Sequence, residues 1–333
     1  MARLSRRSFM NGAAALIASS VVAAASEASF AEVSSPRRIG VLLGGLSPQS
    51  REAQEFRKGL RDAGYIEGRD VVIEWRSAGG DSALAPRLAN DLVEHKVEVI
   101  VATGTVAAQA AKRATSTIPI VASVVADPVG SGLVASLNHP GGNITGLSNM
   151  LADLSAKRLQ LLKETIPSVG RVAVLWNPAT PWHSEALQNL KRAAASQSVE
   201  LIELSIQKPE EFGTAMSAVK RTKAEALYVF DDALFLVHRT ELVKLASQVR
   251  LPAVYGTRDF PDVGGLMSYG ANMSDLYRRS AQYVDKILRG AKPGDLPIEQ
   301  PTVFELVINV KSAAALGLNI PQSILVRADD VIK

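Results

Sequence analysis

Short runs of consecutive Val, Ile, Leu and Ala alternate with amphipathic stretches along most of this chain, and no other feature restricts its fold so strongly. Arg38 to Gly44 precedes the amphipathic Ser50 to Ala63, and Asp70 to Trp75 precedes Leu84 to His95. Val97 to Ala102 precedes Val106 to Ala114, and Pro119 to Val125 follows. The run after Glu98 is apolar at successive positions, the pattern of a parallel strand covered by helices on both faces rather than of a half-exposed sheet. The pattern predicts an α/β fold with doubly wound parallel sheets.

The turn-rich segment Asn138 to Asn143 breaks this series, and after Ile144 to Ser148 the alternation begins again. The second series predicts helix Leu154 to Thr165, strand Arg171 to Trp176, helix Ser184 to Ser198 and strand Glu200 to Ile206. Helix Pro209 to Lys220, strand Ala226 to Phe230, helix Leu236 to Val249 and strands Pro252 to Tyr255 and Leu266 to Tyr269 follow. A chain of 333 residues exceeds the usual single core. Two lobes are expected, residues 32–148 and residues 149–270. Part of 271–300 is expected to join the first lobe and part of 301–333 the second, so that the chain crosses between them more than once.

The N-terminus reads as an export signal. Ser5-Arg6-Arg7-Ser8-Phe9 is followed by a weakly apolar stretch from Gly12 to Ala25 and by the small-residue pattern Ser29-Phe30-Ala31, so cleavage is expected near Ala31, residues 1–31 being a signal peptide. The paired arginines and the Gly, Ser and Ala in the apolar core resemble a twin-arginine signal, which exports folded chains; an ordinary secretory signal carrying Arg-Arg is the alternative. Both place the mature protein in the periplasm.

Residues 1–31 carry three arginines and one glutamate, so the net charge of +4 drops to +2 in the remainder, and no Lys/Arg run there exceeds a pair. That leaves no electrostatic footprint for nucleic acid. Cysteine is absent, which excludes disulfides, thiolate metal sites and the acceptor cysteine of a lipid anchor. Later apolar runs are broken by charge or proline well short of the roughly 18 to 20 residues that span a bilayer.

In an open parallel sheet, ligands sit beyond the carboxyl ends of the strands, where helix N-termini point their free amides. In the first lobe these positions hold Gly44 to Ser47, Ser77-Ala78, Thr103-Gly104-Thr105 and Ala126-Asp127-Pro128; in the second they hold Asn177-Pro178, Asp231-Asp232, Tyr255 to Thr257 and Tyr269-Gly270. Thr103-Gly104-Thr105 suits an anion such as a carboxylate, since glycine lets backbone approach a ligand and two hydroxyls flank amides opening a helix; the alternative is that Thr105 only caps that helix. Asp231 and Asp232 lack a basic neighbour in sequence and suit an ammonium group, or else form a helix cap and a solvated carboxylate. Trp176, Tyr255 and Tyr269 could stack on a flat ligand, although aromatics at strand ends more often pack in cores.

No catalytic arrangement emerges. His95, His139, His183 and His238 form no metal-ligand pair in sequence, Ser47 lies outside any Gly-x-Ser-x-Gly, and neither a phosphate-binding Gly-x-x-x-x-Gly-Lys loop nor a dinucleotide glycine pattern is present. No enzyme activity, metal or cofactor is expected.

Several strings together resemble the tryptophan/tyrosine-type substrate-binding proteins of ABC transporters, over about residues 38–333. They include Gly64 to Trp75, Val101 to Thr105, Thr117 to Val121, Asp127-Pro-Val129, Gly132 to Leu137, Pro140 to Ser148, Gly264 to Gly270, Pro297 to Thr302 and Phe304 to Asn309. The resemblance implies a type I periplasmic-binding-protein fold: two Rossmann-like lobes, joined by a hinge, that close on a small ligand and deliver it to the membrane subunits of an ABC permease. It implies a monomer that captures a carboxylate-bearing, aromatic amino-acid-like ligand. By position it would place the carboxylate near Thr103, Gly104 and Thr105, the ammonium near Asp231 or Asp232 and a ring near the second-lobe aromatics, with Gly44, Ser47, Asp127, Asn177, Tyr255 and Tyr269 completing the site. Two other classes remain open: an extracytoplasmic sensor input using the same closure, and an exported α/β enzyme.

Overall fold

The computed structural model describes residues 35–333; the expected signal peptide lies outside the described residues. The first five strands form one parallel sheet in the order β2-β1-β3-β4-β5. They are β1 (Arg37–Leu43), β2 (Val71–Ser77), β3 (Val99–Thr103), β4 (Ile120–Val125) and β5 (Ile144–Ser148). Helices α1 (Arg51–Asp62), α2 (Ala85–Glu94) and α3 (Thr105–Ala114) connect the first four. β3, β4 and β5 are buried at every position, as consecutive apolar runs demand when helices cover both faces.

The second sheet has the order β12-β11-β10-β9-β8-β6-β7. Its strands are β6 (Arg171–Trp176), β7 (Glu200–Ser205), β8 (Ala226–Val229), β9 (Ala253–Tyr255), β10 (Met267–Ala271), β11 (Phe304–Asn309) and β12 (Asp330–Ile332). The helices of this half are α4 (Ser155–Thr165), α5 (His183–Ser196), α6 (Phe212–Thr222), α7 (Ala233–Val237) and α8 (Arg239–Gln248), followed by α9 (Met273–Leu288), α10 (Val310–Leu316) and α11 (Gln322–Leu325). This is the two-lobe α/β architecture expected from sequence, with differences in detail. β11 runs antiparallel to β10, because the chain enters it from the first sheet's side. The expected helix Leu236–Val249 is two helices: Asp232 starts α7 by accepting from the Leu234 amide at 2.9 Å, and His238 leaves helical geometry at φ −94° and ψ 18°. The expected helix Pro209–Lys220 opens with a single 3₁₀ turn, Pro209–Glu211. Among the described residues, no helix is long and apolar enough to cross a membrane.

Helix α9 follows β10 of the second sheet yet packs on the first. Its buried stripe, Met273, Leu276, Tyr277, Ser280, Ala281, Val284 and Leu288 among others, recurs at helical spacing and lies against α1, β3, β4 and β5. The contact with α1 is close because Gly59 has no side chain: a Cβ there would lie 2.4 Å from the Arg278 carbonyl oxygen and 2.8 Å from the Ala281 Cβ. Ser280 and Ser123 share a buried hydroxyl contact of 2.6 Å that fixes α9 to β4. After α9 the chain adds Glu299 beside β5, with Ser148 N–H donating to the Glu299 carbonyl at 2.8 Å, and then returns to the second sheet as β11. It therefore passes between the sheets three times, after β5, after β10 and before β11.

Substituting Gly59→Ala gains about 1 kcal/mol of helix propensity, but the new Cβ meets backbone that cannot rotate away, and overpacking of this kind costs about 1–3 kcal/mol. The expected outcome is net destabilisation, read as a lower urea midpoint at unchanged slope.

Candidate functional site between the two sheets

The carboxyl ends of both sheets open onto one cavity of about 160 Å³. On the first-sheet side, β3 ends at Thr103, whose hydroxyl accepts from the Gly44 amide at 3.2 Å and so joins the ends of β1 and β3. Gly104 then takes φ +86° as the N-cap of α3 without any side-chain cap. Thr105 is therefore the first helical residue rather than the cap, and its buried hydroxyl has no partner. A polar atom left so, beside uncapped helix amides, is a donor set for an anion.

β4 carries a second irregularity at this wall. Its pairing with β5 shifts register between Ala122 and Val125, and Val124, which lines the cavity, takes φ +52°. Left-handed backbone is unfavourable for a β-branched residue and costs about 1–3 kcal/mol. The Asn149 side chain, on the first connection between sheets, holds the bulge by donating to the Val124 carbonyl at 2.9 Å.

On the second-sheet side, Asp231 follows β8, and its carboxylate lies 3.1 Å from the guanidinium of Arg158, with side chains 9% and 0% exposed respectively. Arg158, from α4, also donates to the Tyr269 carbonyl at 2.8 Å and to the Tyr228 hydroxyl at 3.3 Å. The space for Asp231 exists because residue 256 is glycine: a Cβ there would lie 1.8 Å from the carboxylate. Burial pushes the Asp231 carboxyl up to about 6, against the opposing pull of Arg158. Asp232 is spent locally. One oxygen accepts from the Leu234 amide and from Asn177 Nδ2 at 3.3 Å, and the other accepts from the Thr180 hydroxyl. Beneath these loops His183 is buried; its Nδ1 accepts from the Asn177 amide at 2.9 Å and its Nε2 faces the Asp231 carbonyl at 3.1 Å. Burial lowers its pKa, so it is a neutral strut between two loops.

Of the residues expected from sequence, Gly44, Thr103, Gly104, Thr105, Asn177, Asp231 and Asp232 line this cavity. The others lie elsewhere. Ser47 accepts from the Gln49 amide at 3.3 Å in the turn before α1, and Asp127 closes its own loop by accepting from Gly130 at 2.8 Å. Tyr255 is buried in a stack on Phe260, ring centroids 4.3 Å apart, and Tyr269 stacks at 6.3 Å on Phe304. Trp176 packs against the core. The aromatic side chains on the cavity wall are instead Trp182, Phe260 and Tyr277. Glu52, Asn149, Thr180 and Asp259 also line it unannounced. Trp182 and Thr180 could have been found by reading further into the loop after β6; Tyr277 sits on α9 and could not.

A family model described as ABC transporter substrate binding protein matches residues 47–332. A tyrosine-binding protein of Clostridioides difficile (strain R20291) is 30% identical over 263 residues, covering 79% of this chain and 75% of the relative. The chain belongs to the ABC transporter substrate-binding protein family. Members of this family bind small molecules outside the cytoplasm for delivery to ABC permeases.

Two solved structures bear on the conformation of this binding protein. An ABC domain in complex with L-Trp from Streptococcus pneumonia superposes with TM-score 0.80 at 27% identity, covering 90% of this chain and 100% of that one. A ligand-free, open substrate-binding protein with adhesive properties from Clostridium difficile gives TM-score 0.63 at 26% identity, covering 89% and 99%. The contacts here agree with a closed arrangement. A Cβ at Gly45 would lie 2.6 Å from the Ala233 carbonyl oxygen, and one at Gly80 would lie 3.1 Å from the Leu234 Cα, so two first-lobe loops rest on the first turn of α7. Arg51 of α1 adds an ion pair across the gap to Asp262 at 3.3 Å.

Gly45→Val fills the space that α7 occupies on closure and is expected to lower the closed population and any ligand affinity by about tenfold or more, with the thermal midpoint of the ligand-free protein unchanged. Small-angle scattering and calorimetry check it. Because Asp231 titrates near 6 in the folded protein and near 4 when unfolded, its contribution to stability is complete at low pH and is lost as pH rises through that window. The stability of Asp231→Asn minus that of wild type should therefore rise between pH 4 and pH 7 in urea titrations; a flat difference contradicts the assignment.

Proposed function

We propose that this binding protein captures a single aromatic amino acid, or a closely related aromatic carboxylate, between its lobes and presents it in the closed state to an ABC permease in the membrane. The observation that carries this reading is the unpartnered, buried Thr105 hydroxyl at the uncapped N-terminus of α3, in one small cavity that acidic and aromatic side chains also line. A carboxylate fits the first, an ammonium the acidic side chains, and a ring fits among Trp182, Phe260 and Tyr277. The cavity of about 160 Å³ falls below the roughly 300–1,000 Å³ of drug-sized sites, which favours one small metabolite over a peptide or oligosaccharide. The relatives named for tyrosine and complexed with L-Trp support the same class.

Each lobe supplies part of the contacts, so the ligand binds the closed state better and shifts the population toward it. On this reading the protein acts by capture rather than catalysis and needs no cofactor. We further propose that the chain is exported by the twin-arginine route, is cleaved near Ala31 and works in the periplasm as a monomer.

Thermal-shift and calorimetric titration with L-tyrosine, L-tryptophan and L-phenylalanine test the reading. A micromolar site, worth about −8 kcal/mol, is expected for at least one, and Thr105→Ala should weaken it about tenfold while Thr105→Ser weakens it less. Tight binding of sugars alone, or full affinity in Thr105→Ala, would overturn it.

A further inference from the structure

The cavity wall carries four carboxylates, Glu52, Asp231, Asp232 and Asp259, and no Lys, Arg or His. Two of these are already committed. Asp231 is paired in charge with the buried Arg158 behind it, although its Oδ2 makes no hydrogen bond, and Asp232 is held by the Leu234 amide, Asn177 and Thr180. Glu52 and Asp259 stand differently. Glu52 belongs to the first turn of α1 in the first lobe and is buried, 4% exposed; its one ion-pair partner among the described residues, Arg51 at 3.1 Å, is 40% exposed and also reaches Asp262. Asp259 comes from the loop after β9 in the second lobe and makes no salt bridge among the described residues. Burial and then the negative charge of Glu52 push its carboxyl up, while Arg51, the Thr257 hydroxyl and Arg239 oppose this. The phenol of Tyr277 beside them is likewise pushed up, first by burial and then by Glu52. The same cavity holds the unpartnered, 5% exposed Thr105 hydroxyl, an independent mark of a ligand position.

We propose that Glu52 and Asp259, carboxylates from opposite lobes, together hold the ligand's ammonium group, so that the ligand's positive charge is what permits full closure. The assignment rests on the amino-acid reading above and moves the ammonium away from Asp231 and Asp232, where sequence had placed it. Arg51 offsets part of this negative charge from the cavity's exposed edge; the like charges that remain on opposite jaws resist closure, and a cation between them turns that repulsion into attraction to both lobes. Selectivity and closure then share one cause: an aromatic acid lacking the ammonium leaves the repulsion in place.

The experiment has two arms on the full-length protein. In the first, Glu94→Cys on α2 and Lys244→Cys on α8, both exposed and unique labelling sites in a chain without cysteine, report the interlobe distance by electron spin resonance with no ligand added. The double variant Glu52→Gln/Asp259→Asn is expected to be more closed than wild type. In the second, L-tryptophan and L-tyrosine are titrated against their deaminated analogues, indole-3-propionate and 3-(4-hydroxyphenyl)propionate. Wild type should favour the amino acids by about a hundredfold, and each single variant should cut that preference by about tenfold without weakening the analogues. Unchanged ligand-free distances in the double variant, or an unchanged preference in both single variants, overturns the proposal. Absence of binding to any of the four compounds by wild type overturns the amino-acid reading instead, and the distance arm still decides the charge pair.

Discussion

Everything about this site depends on α9 packing on the wrong side of the hinge. The helix emerges from β10 of the second sheet, but its buried stripe is satisfied only by α1 and the strands of the first. Each large apolar side chain buried there contributes about 1.5–3 kcal/mol, so the chain has to return across the gap, and Glu299 and β11 carry it back. Three backbone connections leave the lobes free to tilt but not to separate. They also deliver Asn149, Met273 and Tyr277 to the cavity, so the hinge supplies part of the floor of the site.

The lobes meet where side chains have been removed. Gly45 and Gly80 accept the backbone of α7, and Gly256 makes room for Asp231. Polar groups fill the adjoining positions, and their electrostatics are divided. Arg158 neutralises the acid deepest in the second lobe, Asp232 serves the architecture of its loop, and the charge left facing the cleft is negative on both jaws. In the same cavity the α3 terminus and the Thr105 hydroxyl present donors. A zwitterion engages both kinds of group, and an anion or a sugar engages only one.

The alternation of apolar runs and amphipathic helices made the two sheets legible in the sequence, and the strand-end rule led to Thr103-Gly104-Thr105, Asn177 and Asp231-Asp232 because those residues stand at their positions for local reasons. The remainder depends on contacts that no local pattern records. Glu52 looks like an ordinary acidic residue compensating a helix dipole, and Arg158 like a solvated mid-helix arginine, until β8 and β10 are laid over it. Tyr255 and Tyr269 occupy strand ends as Asp231 does, but their rings turn into stacks with Phe260 and Phe304. Tyr277 reaches the cavity only because α9 crosses, and the start of α7 at Ala233, ahead of the expected Leu236, follows from the Asp232 cap rather than from hydrophobic period.

Capture of one small ligand by closure of two lobes upon it must change the shape of the molecule in solution. Small-angle X-ray scattering of the protein with and without saturating L-tryptophan or L-tyrosine reads that change. A smaller radius of gyration is expected with ligand, with a curve that matches the arrangement in which Gly45 rests on Ala233. Saturable binding with superimposable scattering curves would rule out capture by closure.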